Sequence, residues 1–287
     1  MGGFTEAGAN RVDAGAFGRL RTLFLIVPLA LACTEAPPAA EPDPAPELPP
    51  AIIGEGGALE GSDLNYVDGD ELTTGYLAVP DGDGPFPALV VIHEWNGLQD
   101  RVRQLADDFA DEGYVTLAAD LFRGRTGSNR DENMALVREA QADPEAMIAN
   151  LDAAVAYLRG RQDVTGRVGA MGWCFGGGVA LSFGLDGVNH EATAIFYGRL
   201  VDDPEVVARL GHEVYGTFAA LDNGPSPESV AAFENALRAA GVEHDLHIYD
   251  DVNHGFWLRV DGDPELRAAP AADAWERLKA YLQRTIG

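Results

Sequence analysis

The segment Gly172-Trp173-Cys174-Phe175-Gly176-Gly177 constrains the fold more than any other part of the chain. A cysteine stands between glycines, directly after the apolar run Val168 to Trp173 and at the start of a small-residue stretch of helical character. Strand, sharp turn, helix is the order in which an α/β sheet presents a nucleophilic side chain at its rim. The glycines have a steric reason: in so tight a turn a side chain at 172 or 176 would collide with the neighbouring strand or helix. Taken alone, the segment is also compatible with a buried structural cysteine beside a glycine-packed helix. The rest of the chain decides.

After Pro87 the sequence carries strand-length apolar runs at Ala88–His93, Tyr114–Ala119, Val168–Trp173, Ala192–Tyr197, Val214–Leu221 and Leu246–Tyr249. Continuous runs of this kind suit strands covered on both faces. Helical spacing lies between them, in Val102/Leu105/Phe109, Met147/Leu151/Val155/Leu158, Val230/Phe233/Leu237 and Trp275/Leu278/Leu282. Gly113 and Gly241 can close two of these helices, and Ser226-Pro227 can open one. The stretch from 62 to 80 alternates and reads as an antiparallel hairpin. The fold class is therefore α/β, with a mostly parallel sheet, helices on both faces and an N-terminal antiparallel hairpin.

In such a sheet, chemistry collects beyond the carboxyl ends of the strands. Glu94, Cys174, Asp222 and His254 each follow an apolar run, and nucleophile, acid, histidine is the chain order of α/β-hydrolases. A thiol attacks as thiolate, so it needs a base; His254 can serve, and Asp222 can fix the imidazole tautomer. Backbone N–H groups of Phe175 and Trp95 are placed to form an oxyanion hole. Plainer readings stand beside these. Asp222 can be a turn former before Asn223-Gly224, and Glu94 a solvated loop carboxylate. Asp120 reads as a loop or cap residue and His93 as a core histidine. His190, His212, His244 and His247 read as surface or cross-strand residues.

A formal net charge of −26, with Lys279 the only lysine, argues against a nucleic-acid partner. The two cysteines, Cys33 and Cys174, occupy unrelated settings, so no disulfide framework is proposed. No His/Cys cluster has metal-ligand spacing, and neither a metal nor another cofactor is expected. Arg19 and Arg21 precede the uncharged segment Thr22 to Ala32, which ends at Cys33. This reads as an export signal, too short to span a bilayer and interrupted by Pro28. The segment resembles a bacterial lipoprotein signal that would leave a lipid anchor at Cys33, although Ala30 stands where leucine is usual. The organisation expected is a signal over 1–32, a Pro/Ala/Glu-rich linker over 33–51 and a catalytic domain over 52–287, exported and either membrane-anchored facing the periplasm or exterior, or periplasmic or secreted.

Val91-Ile92-His93-Glu94-Trp95-Asn96-Gly97, the cysteine elbow, Phe196-Tyr197-Gly198 and Asn253-His254-Gly255-Phe256 together resemble the dienelactone hydrolase (carboxymethylenebutenolidase) family over roughly residues 60 to 287. The resemblance implies an α/β-hydrolase fold and a Cys174–Asp222–His254 triad. It also implies a Glu94 carboxylate that contacts the thiol and takes its proton when substrate binds. The implied substrate is a small ester or lactone, turned over by a monomer through an acyl-enzyme. Two arginines that hold the substrate carboxylate in that family fall at Gly124 and Leu258 here, with Arg123, Arg125 and Arg259 adjacent. The rival expectation is a catalytically silent, tethered binding protein on the same fold.

Overall fold

The computed structural model describes residues 47–188 and 190–287; the expected signal and most of the linker lie outside the described residues. The strands are β1 (Ser62–Leu64), β2 (Gly75–Ala78), β3 (Phe86–Ile92), β4 (Val115–Ala119), β5 (Val164–Trp173), β6 (Ala192–Phe196), β7 (Val214–Ala219) and β8 (His244–Tyr249), and α1 (Pro50–Ile53) and α6 (Pro204–Val207) are single-turn helices. They form one sheet in the order β1-β2-β4-β3-β5-β6-β7-β8. β1 and β2 pair antiparallel, β2 joins β4 antiparallel, and every pairing from β4 to β8 is parallel.

The apolar runs divide by parity, as a sheet covered on both faces requires. Leu89 and Val91 of β3 point to one layer, where they join α2 (Asp100–Asp111, through Val102, Leu105 and Phe109) and α8 (Pro264–Thr285, through Trp275, Leu278 and Tyr281). Ala88, Val90 and Ile92 point to the other, against α4 (Pro144–Arg159) and α5 (Phe175–Asp186). Further along, Ile195, Val214 and Phe218 pack on α7 (Pro227–Ala240). Ser226 caps α7 through its side chain, and Gly241 ends it in the left-handed region at φ 72°. Both were expected from composition.

Helix α3 (Arg130–Gln141), capped by Asn129, was not anticipated. Its apolar face is short, with Leu136 and Val137 packed on Phe122 in a small cluster apart from the main core. One histidine reading is corrected. His190 is 5% exposed, stacks on Phe183 at 4.5 Å and gives its Nε2 to the Thr193 hydroxyl at 3.0 Å. The same hydroxyl is 2.7 Å from His212 Nε2, so the two rings share one core-facing partner at the amino ends of β6 and β7.

Strand order fixes where a site can form. From β3 the chain moves to β4 on one side, then crosses to β5 on the other. The carboxyl ends of β3 and β5 thus flank the point where the winding reverses, and a crevice opens there.

Candidate active site

Cys174 occupies the turn between β5 and α5 with φ 57° and ψ −116°. Positive φ is strained for a residue with a Cβ and persists only where the surroundings enforce it. They do so here through backbone contacts. Cys174 N–H donates to Phe196 O at 3.0 Å, and Gly178 N–H donates to Cys174 O at 3.2 Å. The flanking glycines are required by space: a Cβ on Gly176 would lie 2.3 Å from Ile92 O, and one on Gly172 would lie 2.5 Å from the Gly176 carbonyl. The thiol is thereby held at the first turn of α5, where unpaired N–H groups and the helix dipole favour an anion.

His254 comes from the loop after β8 and Asp222 from the turn after β7. The structure brings both to the cysteine. His254 Nδ1–H donates to Asp222 Oδ2 at 2.6 Å, and Cys174 and His254 line one cavity, with the sulfur near enough to raise the proton affinity of the ring. Burial depresses the pKa of His254, but the Asp222 carboxylate and the Cys174 sulfur override it and raise the pKa to about 10. The two readings of Asp222 are not alternatives: Oδ1 accepts the Gly224 N–H at 2.8 Å while Oδ2 holds the histidine.

Glu94 is buried at the end of β3, at 6% exposure, so it is not a solvated loop carboxylate. Its Oε2 accepts from Arg259 Nη2 at 2.7 Å. That pair holds Arg259 protonated, the Glu94 charge being the largest cause. Among the described residues no hydrogen bond joins the Glu94 carboxylate to the thiol, so the direct contact implied by the resemblance is replaced by one with the arginine. Arg259 thus reaches the glutamate despite its one-residue offset. Arg123 and Arg125 turn away from the site, to Asp70 at 3.0 Å and to Glu139 at 2.6 Å. His93 is a satisfied core residue: Nδ1 meets Glu94 O at 2.6 Å and Nε2 accepts from Leu121 N–H at 3.1 Å. It pins the loop that carries Glu94 and Trp95. The N–H groups of Trp95 and Phe175 donate to no described acceptor and stay available at the site.

A cavity of about 430 Å³ opens over Cys174 and His254. Trp95, Phe175, Tyr197 and Leu200 form much of its wall, and α3 closes one side through Met134, Val137 and Gln141. Tyr197 had no assigned role in the sequence. It sits at φ 40°, its ring 5.0 Å from that of His254, with its hydroxyl buried and without a described partner. Burial and the Glu94 charge raise its pKa well above the usual phenol value, so it stays protonated. The following Gly198 is obligatory, since a Cβ there would meet the Gly177 carbonyl carbon at 2.2 Å. Among the described residues no group of three His, Cys, Asp or Glu side chains is arranged to hold a metal ion.

The sequence profile of the dienelactone hydrolase family matches residues 73–286. A protein of Methylorubrum extorquens named as a candidate carboxymethylenebutenolidase is 30% identical over 229 residues, covering 75% of this chain and 78% of that protein. The solved structure of a dienelactone hydrolase-like promiscuous phosphotriesterase from metagenomic libraries superposes with a TM-score of 0.71 at 25% identity. It covers 80% of this chain and 100% of that one. A candidate dienelactone hydrolase of Klebsiella pneumoniae shares the fold, with a TM-score of 0.69 at 23% identity over 79% of this chain and 100% of that one.

Proposed function

The chain belongs to the dienelactone hydrolase family and is a hydrolase of the ester and lactone kind, and we propose that it works through a Cys174 acyl-enzyme served by His254 and Asp222. The observation that carries this reading is the convergence of the three residues. A strained elbow holds the sulfur, the imidazole stands beside it, and a buried carboxylate sits 2.6 Å behind the ring.

In the first half-reaction the Cys174 sulfur adds to the ester carbonyl as thiolate, its proton already held on His254 Nε2 as the raised imidazole pKa favours. The C–O bond then breaks, and the leaving alcohol takes that proton. In the second half, water adds to the thioester as His254 removes its proton. The C–S bond breaks, the acid departs and the thiol is restored. Phe175 and Trp95 N–H groups receive the oxyanion in both halves. Asp222 holds the ring with its proton on Nδ1 in the neutral form and stabilises the imidazolium. Glu94 and Arg259 form a neutralised pair beside the nucleophile. In a family where the glutamate serves as proton acceptor, an incoming anion that draws Arg259 away would free Glu94 for that part.

A thiolate leaves far more readily than an amide nitrogen, so activated esters, lactones and thioesters suit the site better than amides. Cys174→Ala should abolish turnover of 4-nitrophenyl acetate while leaving the thermal midpoint within a few degrees of the native protein. Turnover that survives this replacement would refute the assignment. The export signal and the lipid anchor at Cys33 form a separate part of the proposal, supported by the residue pattern of 19–33.

A further inference from the structure

We propose that Arg199 selects the substrate by binding an anionic group carried on the ester's acyl or leaving portion; this rests on Cys174 being the nucleophile. Among the described residues, and apart from His254, the thiol itself and the Tyr197 phenol, which stays neutral, Arg199 is the only ionisable side chain lining the cavity over Cys174, and no carboxylate lines it. The other arginines near the site are committed: Arg259 to Glu94, Arg123 to Asp70 and Arg125 to Glu139. Among the described residues Arg199 makes no ion pair and no side-chain hydrogen bond.

Its backbone position is set by the elbow. A Cβ on Gly178 would stand 3.2 Å from both the Arg199 backbone N and its Cβ. Gly178 is also the residue whose N–H closes the first helical turn on Cys174 O. Arg199 is therefore rooted one turn from the nucleophile, and its exposed side chain lines the cavity. With Trp95, Phe175 and Leu200 as apolar walls, the fitting ligand has an apolar linker ending in an anion, such as a monoester of a short dicarboxylic acid. A guanidinium recognises a carboxylate through two parallel charge-assisted hydrogen bonds, stronger once bound substrate excludes water. On a chain of net charge −26 the long-range field repels anions, so selectivity for them has to come from a local cation of this kind.

The test compares kcat/KM for 4-nitrophenyl monoesters of glutaric acid, a neutral ester of matched length and a trimethylammonium-bearing counterpart. The native protein should favour the anionic ester over the neutral one by roughly tenfold or more. Arg199→Gln should collapse that ratio toward one, and Arg199→Glu should turn it toward the cationic ester, a reversal that a merely damaged fold would not produce. A ratio near one in the native protein, or one unmoved by either substitution, would overturn the role of Arg199 while Cys174-dependent turnover stands. Absence of turnover with all three esters, or turnover retained in Cys174→Ala, would instead remove the nucleophile assignment, and this inference with it.

Discussion

Asp222 and His254, 32 positions apart in the chain, are joined by a 2.6 Å bond from Nδ1–H to Oδ2, while the other Asp222 oxygen ties its own turn through Gly224. One carboxylate therefore serves both the loop geometry and the histidine. Asp222→Asn should keep the turn, because an amide oxygen still accepts from Gly224, but should lose the charge. We expect kcat to fall by roughly three to four orders of magnitude with little change in stability. The titration midpoint of His254, about 10 with the carboxylate present, should move down, since burial is then opposed only by the sulfur. Following the ring resonances against pH checks this directly. An unmoved midpoint would mean that Asp222 does not govern the proton.

The Glu94–Arg259 pair is asymmetric, with the carboxylate side chain 8% exposed and the guanidinium side chain 45% exposed. Removing the arginine strands a buried charge, whereas removing both ends does not. Arg259→Met should lower unfolding stability by about 1–2 kcal/mol, the half-exposed partner reducing the effect. Glu94→Gln added to it should recover most of the loss. Urea denaturation of the double-mutant cycle measures both. Additive losses would show that the two side chains are not coupled.

The histidine pair at the far end of the sheet makes the fold sensitive to acid. Burial first, then the His190 charge, lowers the pKa of His212 from 6.5 to about 4. The folded protein thus binds fewer protons than the unfolded chain between those values. The stability held above pH 6.5 drains away as pH falls toward 4. Allowing for its partial exposure, His212 should account for about 2 kcal/mol of that loss. His212→Gln keeps an N–H for Thr193 and cannot charge, so its stability should fall less steeply between pH 6.5 and 4. Parallel slopes for the two proteins would contradict this.

The elbow glycine Gly176 and the loop glycine Gly211, which precedes β7, form a steric contrast. A Cβ on Gly176 meets backbone oxygens of Ile92 at 2.3 Å and His93 at 2.5 Å, whereas one on Gly211 meets nothing within 4 Å. Gly176→Ala should cost about 3 kcal/mol or prevent folding, and Gly211→Ala should be close to neutral. Thermal unfolding of the pair is sufficient. A tolerated alanine at 176 would show that β3 can retreat from α5.

Much of the fold was legible because strand parity and helix caps are local signals. Val90 and Val91 face opposite layers simply because successive side chains do. Helix α3 escaped because its packing against Phe122 is a satellite contact with weak periodicity. At the site, the order Cys174, Asp222, His254 was readable, since each follows an apolar run. Arg259 was harder. A one-residue offset by itself turns a side chain to another direction, but a long flexible stem covers one residue of slippage and reaches a buried carboxylate. Tyr197 and Arg199 were silent for another reason: their significance comes from the backbone of 196–199 lying against the first turn of α5, a contact between segments that no single-chain pattern encodes.

The central claim concerns a covalent bond to one sulfur, and trapping it is the most direct test. In His254→Asn both half-reactions lose their base, but a thiolate formed at raised pH still attacks an activated ester whereas water attacks the thioester far more slowly, so prolonged mixing with a 4-nitrophenyl ester should leave a stable acyl group. Peptide mass spectrometry after acid quench should place a single acyl increment on the peptide containing Cys174. Ester turnover with no adduct on that peptide, in this variant and in the native protein under rapid quench, would contradict the account.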